Sequence, residues 1–359
     1  MKTGKTLQEL AAELERQKET KRDFIAAAQT VKVMSNGHSE MDFGLAGKFP
    51  VNNTAHEHLA SKLEIPKKYY DRMQAEAPAL LDSNINHWLT AQGNDKLLLR
   101  TLDGNVRGVL SDKYRPLDNA DLAEAILPTL ISLDLVVMSC EVTERRMLIK
   151  AVDSRIAKDI PVGAKMGSGH TIFNTLSPGI TISNSEIGFG SMSVLTSVFT
   201  KQCTNLATFS QRSVRKYHLG GKYEGSEAAY ELMSDKTRQL SDAALWAQTQ
   251  DVVKAAFDLA RFDSLVEEIQ STVENKIEGD PVKAVEVTAK RFGLLEHEKT
   301  SVLKHLIQGA DLSQYGLFNA ITRTAEDLPD YDRATDFEKF GGSIIELPKS
   351  DWKTIATAA

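Results

Sequence analysis

The sequence predicts an α+β fold: an antiparallel, β-hairpin-rich central sheet with packed helices, a small N-terminal helical lobe and a helical C-terminal lobe. Three observations carry this reading. Strand-like alternation and tight-turn chemistry are concentrated between residues 96 and 220, helical periodicity dominates beyond Ser226, and 359 residues at 42% hydrophobic content suffice to bury a core. The length suits one large domain or two of ordinary size.

Taken in order, residues 7–28 read as a charged amphipathic helix with Leu7, Leu10, Leu14, Phe24 and Ala28 near one stripe. An irregular stretch follows from Asn36 to Asn53. Thr54-Ala55-His56-Glu57 has the spacing of a capping box, a helix beginning at Pro66 uses proline in the first turn, and residues 78–91 form a third helix. The period changes at Lys96. Apolar runs on either side of Asp103-Gly104 predict a hairpin, because Asp-Gly supplies the positive φ angles of a tight turn. Residues 118–131 read as a helix, 135–142 and 146–152 as a second hairpin, and Ile172–Asn184 and Ser191–Thr200 as strands after a Gly-rich loop at 163–169. Further on, Gly279-Asp280-Pro281 starts a helix and Gly309 ends another, while Pro329, Gly341-Gly342 and Pro348 suggest a loose end. The chain thus divides into an N-terminal arm (1–42), an α+β core with a cationic sheet (43–223), an acidic helical lobe (224–328) and a loosely ordered tail (329–359). The arm is read as solvated or as an oligomer contact.

A net charge of −6 argues against a chain that coats nucleic acid through overall charge. The distribution is more informative. Residues 96–223 hold 16 basic against 11 acidic side chains, a net +5, whereas residues 224–359 hold 15 against 25, a net −10. No Asp or Glu occurs between Glu186 and Glu224, a stretch containing Lys201, Arg212, Arg215, Lys216 and Lys222 interleaved with Phe209, Tyr217, His218 and Tyr223. Cations neutralise phosphates and aromatic rings stack on unpaired bases, so this composition suits single-stranded nucleic acid. Arg100, Arg107, Lys113, Arg115, Arg145, Arg146 and Lys150 extend the same candidate surface. The alternative is a cationic face that docks onto the acidic helices of its own chain.

Other chemistry is weakly signalled. Gly163-Ala164-Lys165-Met166-Gly167-Ser168-Gly169 lacks the Gly-Lys-Ser/Thr ending of a phosphate-binding loop, and Gly188-Phe189-Gly190 lacks the third glycine of a dinucleotide fingerprint. His56 and His58 point to different helix faces, which favours capping and surface roles over a metal site. Neither a cofactor nor a metal is expected. Cys140 and Cys203 read as buried reduced thiols, although one disulfide is compatible with their number. The opening residues are too charged for a signal-peptide core and no apolar run approaches the roughly 20 residues of a membrane span, so a cytoplasmic location in a bacterial host cell, with no membrane partner, is expected.

Several segments resemble a family of phage- and plasmid-encoded proteins known as domain of unknown function 932. They are Ile65–Met73, Asn84-x-Asn86-x-Trp88-Leu89, Gly108–Asn119, Asn184–Ser191, Cys203-Thr204-Asn205 and Gly316–Thr322, in that order. The resemblance spans about residues 43–326. It brings no catalytic residues, but implies a mobile-element setting in which single-stranded DNA arises. The predicted layout is also similar to Redβ/Erf/Rad-type single-strand annealing proteins. The function expected is therefore ATP-independent single-stranded DNA binding and strand annealing in recombination or replication. A homo-oligomeric ring or filament is expected, with phage or host recombination proteins as further partners. Two alternatives stay open: a nucleic-acid-modifying enzyme using Ser185, Glu186 and His170, and an interaction protein that binds a host factor through its acidic lobe.

Overall fold

The computed structural model describes residues 1–35, 38–114, 116–164, 171–201, 204–209, 215–217 and 235–358, with 215–217 described as backbone. Their arrangement is α+β: three antiparallel sheets and twelve helices, with the C-terminal region helical.

The chain opens with α1 (Leu7–Thr20), whose N-terminus is a capping box formed by Thr6 and Glu9. The helix stops well short of residue 28. Lys21 is extended, and β1 (Arg22–Ala27) pairs along the whole of β5 (Lys96–Leu102). An apolar strand such as Leu97-Leu98-Leu99 needs ladder partners on both edges, and β1 supplies the second. Leu10 and Leu14 of α1 are buried against α5 (Asn119–Ser132) and the central sheet. Residues 1–42 are therefore not a free arm. The stretch expected to be irregular from Asn36 contains two strands, β3 (Ser39–Asp42) and β4 (Lys48–Pro50), which form a small meander with β2 (Lys32–Ser35) just before it.

Three helices complete the N-terminal lobe: α2 (Asn53–Lys62), α3 (Lys67–Glu76) and α4 (Pro78–Ala91). Asn52, not Thr54, caps α2 by accepting the Ala55 N–H at 3.0 Å; Thr54 donates instead to the Arg107 carbonyl oxygen at 2.8 Å. The β5–β6 hairpin (β6, Asn105–Ser111) turns at Asp103 (φ 51°) and Gly104 (φ 74°), the two left-handed positions expected of Asp-Gly. This hairpin shares the N-terminal core with α2, α3 and α4 through Leu97, Leu99, Val106 and Val109. It does not join the central sheet, so the expected single sheet over 96–220 is two.

The central sheet runs β12-β11-β10-β8-β7, with β9 beside the first half of β10 and β13 beside β11. Its strands are β7 (Val136–Val142), β8 (Met147–Val152), β9 (Lys158–Ala164), β10 (Thr171–Asn184), β11 (Met192–Thr200), β12 (Asn205–Phe209) and β13 (Arg215–Tyr217). Ile149, Ile180, Ile182 and Val194 pack against α1, α5 and α6 (Asp235–Ala255). The remaining helices are α7 (Leu259–Ser271), α8 (Pro281–Phe292, capped by Asp280), α9 (Glu296–Gly309), α10 (Gln314–Asp327), α11 (Tyr331–Ile345) and α12 (Lys349–Ala356). They form one core with Ile160, Leu176, Val198 and Phe209 of the sheet.

The last thirty residues correct the expectation of a loose tail. Phe337, Ile344, Trp352 and Ile355 are buried in that core. Gly341 and Gly342 lie inside α11, where a Cβ on Gly342 would run into the Thr208 carbonyl oxygen. Gly342 permits close approach of α11 to β12, and Gly341 of α11 to Thr322 of α10, rather than loosening the chain.

Candidate nucleic-acid interface

The central sheet does not present its cations as one open surface. Lys150 is fully buried, with its Nζ 2.7–2.8 Å from the Glu338 carboxylate of α11 and 4.5 Å from the Tyr331 ring centroid. Arg146 donates from Nε to Asp332 at 2.6 Å and lies 3.7 Å from Asp336. Arg145 donates to Glu57 at 2.6 Å and covers the Phe189 ring at 4.8 Å. The acidic helix α11 thus neutralises two of the sheet cations assigned to the candidate surface. Sheet-to-helix docking within the chain, one of the two readings of its charge pattern, accounts for Arg146 and Lys150.

Arg100 and Arg107 belong to a different junction. Arg100 is 1% exposed; it donates to Asp23 at 2.8 Å, to Asp118 at 3.0 Å and to the Glu186 carbonyl oxygen at 2.6 Å. Burial alone would lower its pKa, but Asp23 and Asp118 outweigh it and hold the guanidinium above its ordinary value. Arg107 is buried against the Glu186 carboxylate. That carboxylate also accepts the Asn119 N–H at 2.7 Å, at the start of α5 where the helix dipole favours an anion, and lies 3.4 Å from Lys21. Burial would raise the Asp118 carboxyl, yet Lys21 and Arg100 beside it bring it below its ordinary value. The start of β1, the β5–β6 hairpin, the start of α5 and Glu186 are joined here by ion pairs and hydrogen bonds.

The same junction absorbs the candidate polar residues of the enzyme reading. Ser185 donates from Oγ to the Arg145 carbonyl at 2.7 Å and accepts the Phe189 N–H at 2.9 Å; Asn184 donates to Leu117 and Asn119. Tyr114 donates to the Ser185 carbonyl at 3.1 Å. The cavity beside Asn184, Ser185 and Ser191 is about 10 Å³, close to the space of one water and far below that of a substrate. His170 lies outside the described residues. The two segments 108–119 and 184–191 are therefore the halves of one structural joint.

His56 and His58 do diverge, but both point inward. His56 lies 2.7 Å from the Tyr70 hydroxyl, and His58 accepts the Val109 N–H at 3.2 Å while stacking on Phe189 at 4.6 Å. Burial pulls both imidazoles down to about 4. Cys140 is a free buried thiol, pushed up to about 11 by burial, and Cys203 is outside the described residues. Among the described residues no three His, Cys, Asp or Glu side chains gather to hold a metal, and no helix is long and apolar enough to cross a membrane.

What remains of the cationic assignment falls in two places, the β12 side of the central sheet and the β6–α5 connection outside it. Lys201 is exposed at the β11–β12 turn. Beyond β12, β13 takes up the next register positions along β11, with Arg215 opposite Val194, Lys216 opposite Ser193 and Tyr217 opposite Met192. Lys113 is exposed in the β6–α5 connection. Arg115, Arg212 and His218 lie outside the described residues.

Sequence reasoning passed over a second feature, in the N-terminal lobe. A groove of about 530 Å³ between α2, α3 and α4 is lined by Lys62, Ile65, Tyr69, Asn84, Trp88 and Gln92. Tyr69 is 49% exposed and Trp88 47%, unusual for large aromatic side chains on helices that bury Tyr70, Ile85 and Leu89 next to them. The signal was present in Tyr69-Tyr70, where adjacent aromatic residues on a helix cannot both face the core, and in Trp88-Leu89, where Leu89 takes the core side. Comparisons of the chain with protein-family models, with curated proteins and with solved structures return no match.

Proposed function

We propose that this chain binds single-stranded DNA and pairs complementary strands without ATP, as a homo-oligomeric protein of a phage or plasmid. The observation that carries the reading is the position of β13. It extends the β12 side of the sheet with Arg215, Lys216 and Tyr217, inside a stretch of 37 residues, 187–223, that has no carboxylate. Phosphates gain from such a segment because the protein brings no anion of its own to compete for the cations.

The binding surface is narrower than the charge count alone suggests. Arg100, Arg107, Arg146 and Lys150 are engaged within the chain and take no part in it; Lys201 and the residues of 212–217 do. Strand pairing is tested with two complementary oligonucleotides carrying a fluorophore and a quencher, mixed with the full chain and no nucleotide triphosphate. Faster pairing than in buffer is expected. Pairing at the buffer rate, with the strands saturated by protein, contradicts annealing.

A further inference from the structure

We infer that the groove between α2, α3 and α4 is a stacking site for one unpaired nucleobase, with Tyr69 and Trp88 supplying the ring faces and Gln92 the hydrogen-bonding edge. This rests on the nucleic-acid reading and adds to it a second contact, directed at bases rather than phosphates.

Four observations point to a base as the occupant. Two aromatic side chains stand about half exposed in one concavity. Flat π faces left in water gain most by covering another flat ring, and base–aromatic stacking is indifferent to base identity. Gln92 lines the groove, and its Oε1 is buried with no hydrogen-bond donor among the described residues, so a turn of the side-chain amide is needed to present that oxygen to a base. A buried amide oxygen without a donor is costly, and the exocyclic amine or ring N–H of a base supplies the missing group. Asn84, whose Nδ2 has only the Met73 sulfur at 3.8 Å, offers a second amide. Lys62 and Glu64 both line the groove; Lys62 has no carboxylate partner among the described residues and can meet the phosphate that accompanies the base, on the side away from Glu64. The volume, about 530 Å³, falls within the range of small-ligand sites.

The test follows the emission of Trp88, isolated as the difference between the full chain and Trp88→Phe, during titration with an adenine mononucleotide and with a single strand of roughly 20 nucleotides. Anisotropy of the labelled strand is read in parallel. Saturable quenching by the mononucleotide is expected, weakened on the order of tenfold by Tyr69→Ala and by Gln92→Leu. Tyr69 is exposed, so its replacement leaves the fold intact. Strand binding with unchanged Trp88 emission in both titrations overturns the groove while leaving the sheet-edge reading standing. Quenching by the mononucleotide without strand binding supports the groove and overturns strand binding. Silence in every channel overturns both. A groove built for an apolar peptide gives unchanged emission with both nucleic-acid probes, and so counts as overturned.

Discussion

Lys150 on β8 and Glu338 on α11 are both fully buried and meet at 2.7–2.8 Å, closing the C-terminal helices onto the central sheet. A buried ion pair adds little over a well-packed apolar pair, but breaking it leaves a charge in a low-dielectric interior. Glu338→Gln or Lys150→Met alone should cost about 3–5 kcal/mol in urea unfolding, and the double change Lys150→Met with Glu338→Leu should recover most of it. Additive losses in the double variant would contradict a paired role.

Glu186→Gln is a second test of internal neutralisation. It leaves Arg107 and Lys21 facing a neutral amide and removes the anion from the start of α5. A loss on the order of 3 kcal/mol is expected, with strand affinity per folded molecule unchanged. Lost activity in a stably folded Glu186 variant would instead support a chemical role for this carboxylate.

Gly342→Ala reverses the usual helix preference. Alanine is favoured over glycine within a helix by about 1 kcal/mol, yet here its Cβ meets the Thr208 carbonyl, and displacing α11 from β12 should cost about 1–3 kcal/mol overall. A variant with a higher melting temperature would show that the helix can move aside.

Acid should weaken the N-terminal lobe through His56. Burial, followed by the nearby Lys67 charge, lowers its pKa from 6.5 to about 4, so the folded chain holds it neutral while the unfolded chain binds a proton. The stability it contributes is complete above about pH 6.5 and is lost as pH falls through 4; at about pH 5 the loss is about 2 kcal/mol. His56→Asn should flatten that part of the pH profile in urea melts, and an unchanged profile would contradict the assignment.

Local chemistry explains which elements were legible in the sequence. Asp103-Gly104 marks its hairpin, Asp280-Pro281 its helix start, and the β-branched runs after 171 their strands, because each signal lies within a few residues of the element it specifies. Partners distant in sequence were not legible. Arg100 meets Asp23 across 77 residues and Lys150 meets Glu338 across 188, and composition counts charges without saying which ones touch. One clue was available for Lys150. It sits in Met147-Leu148-Ile149-Lys150-Ala151-Val152, a run apolar at both periods of a strand, which marks a strand buried on both faces and a lysine that needs an acid. β1 was hidden for another reason: Phe24 and Ala28 continue the helical spacing of α1, and only the vacant edge of β5 decides against it.

The proposed DNA-binding surface is Lys201 with residues 212–217, not the sheet cations buried in ion pairs. Its most direct test is the affinity of a labelled single strand of about 40–60 nucleotides at about 50 and 200 mM salt, for the full chain and for Arg212→Ala/Arg215→Ala/Lys216→Ala. Steep weakening with salt is expected for the full chain and, for the folded triple variant, lower affinity with a salt slope shallower by about 2–3. Equal affinity and equal slope for the two proteins, or binding by neither at the lower salt, would contradict it.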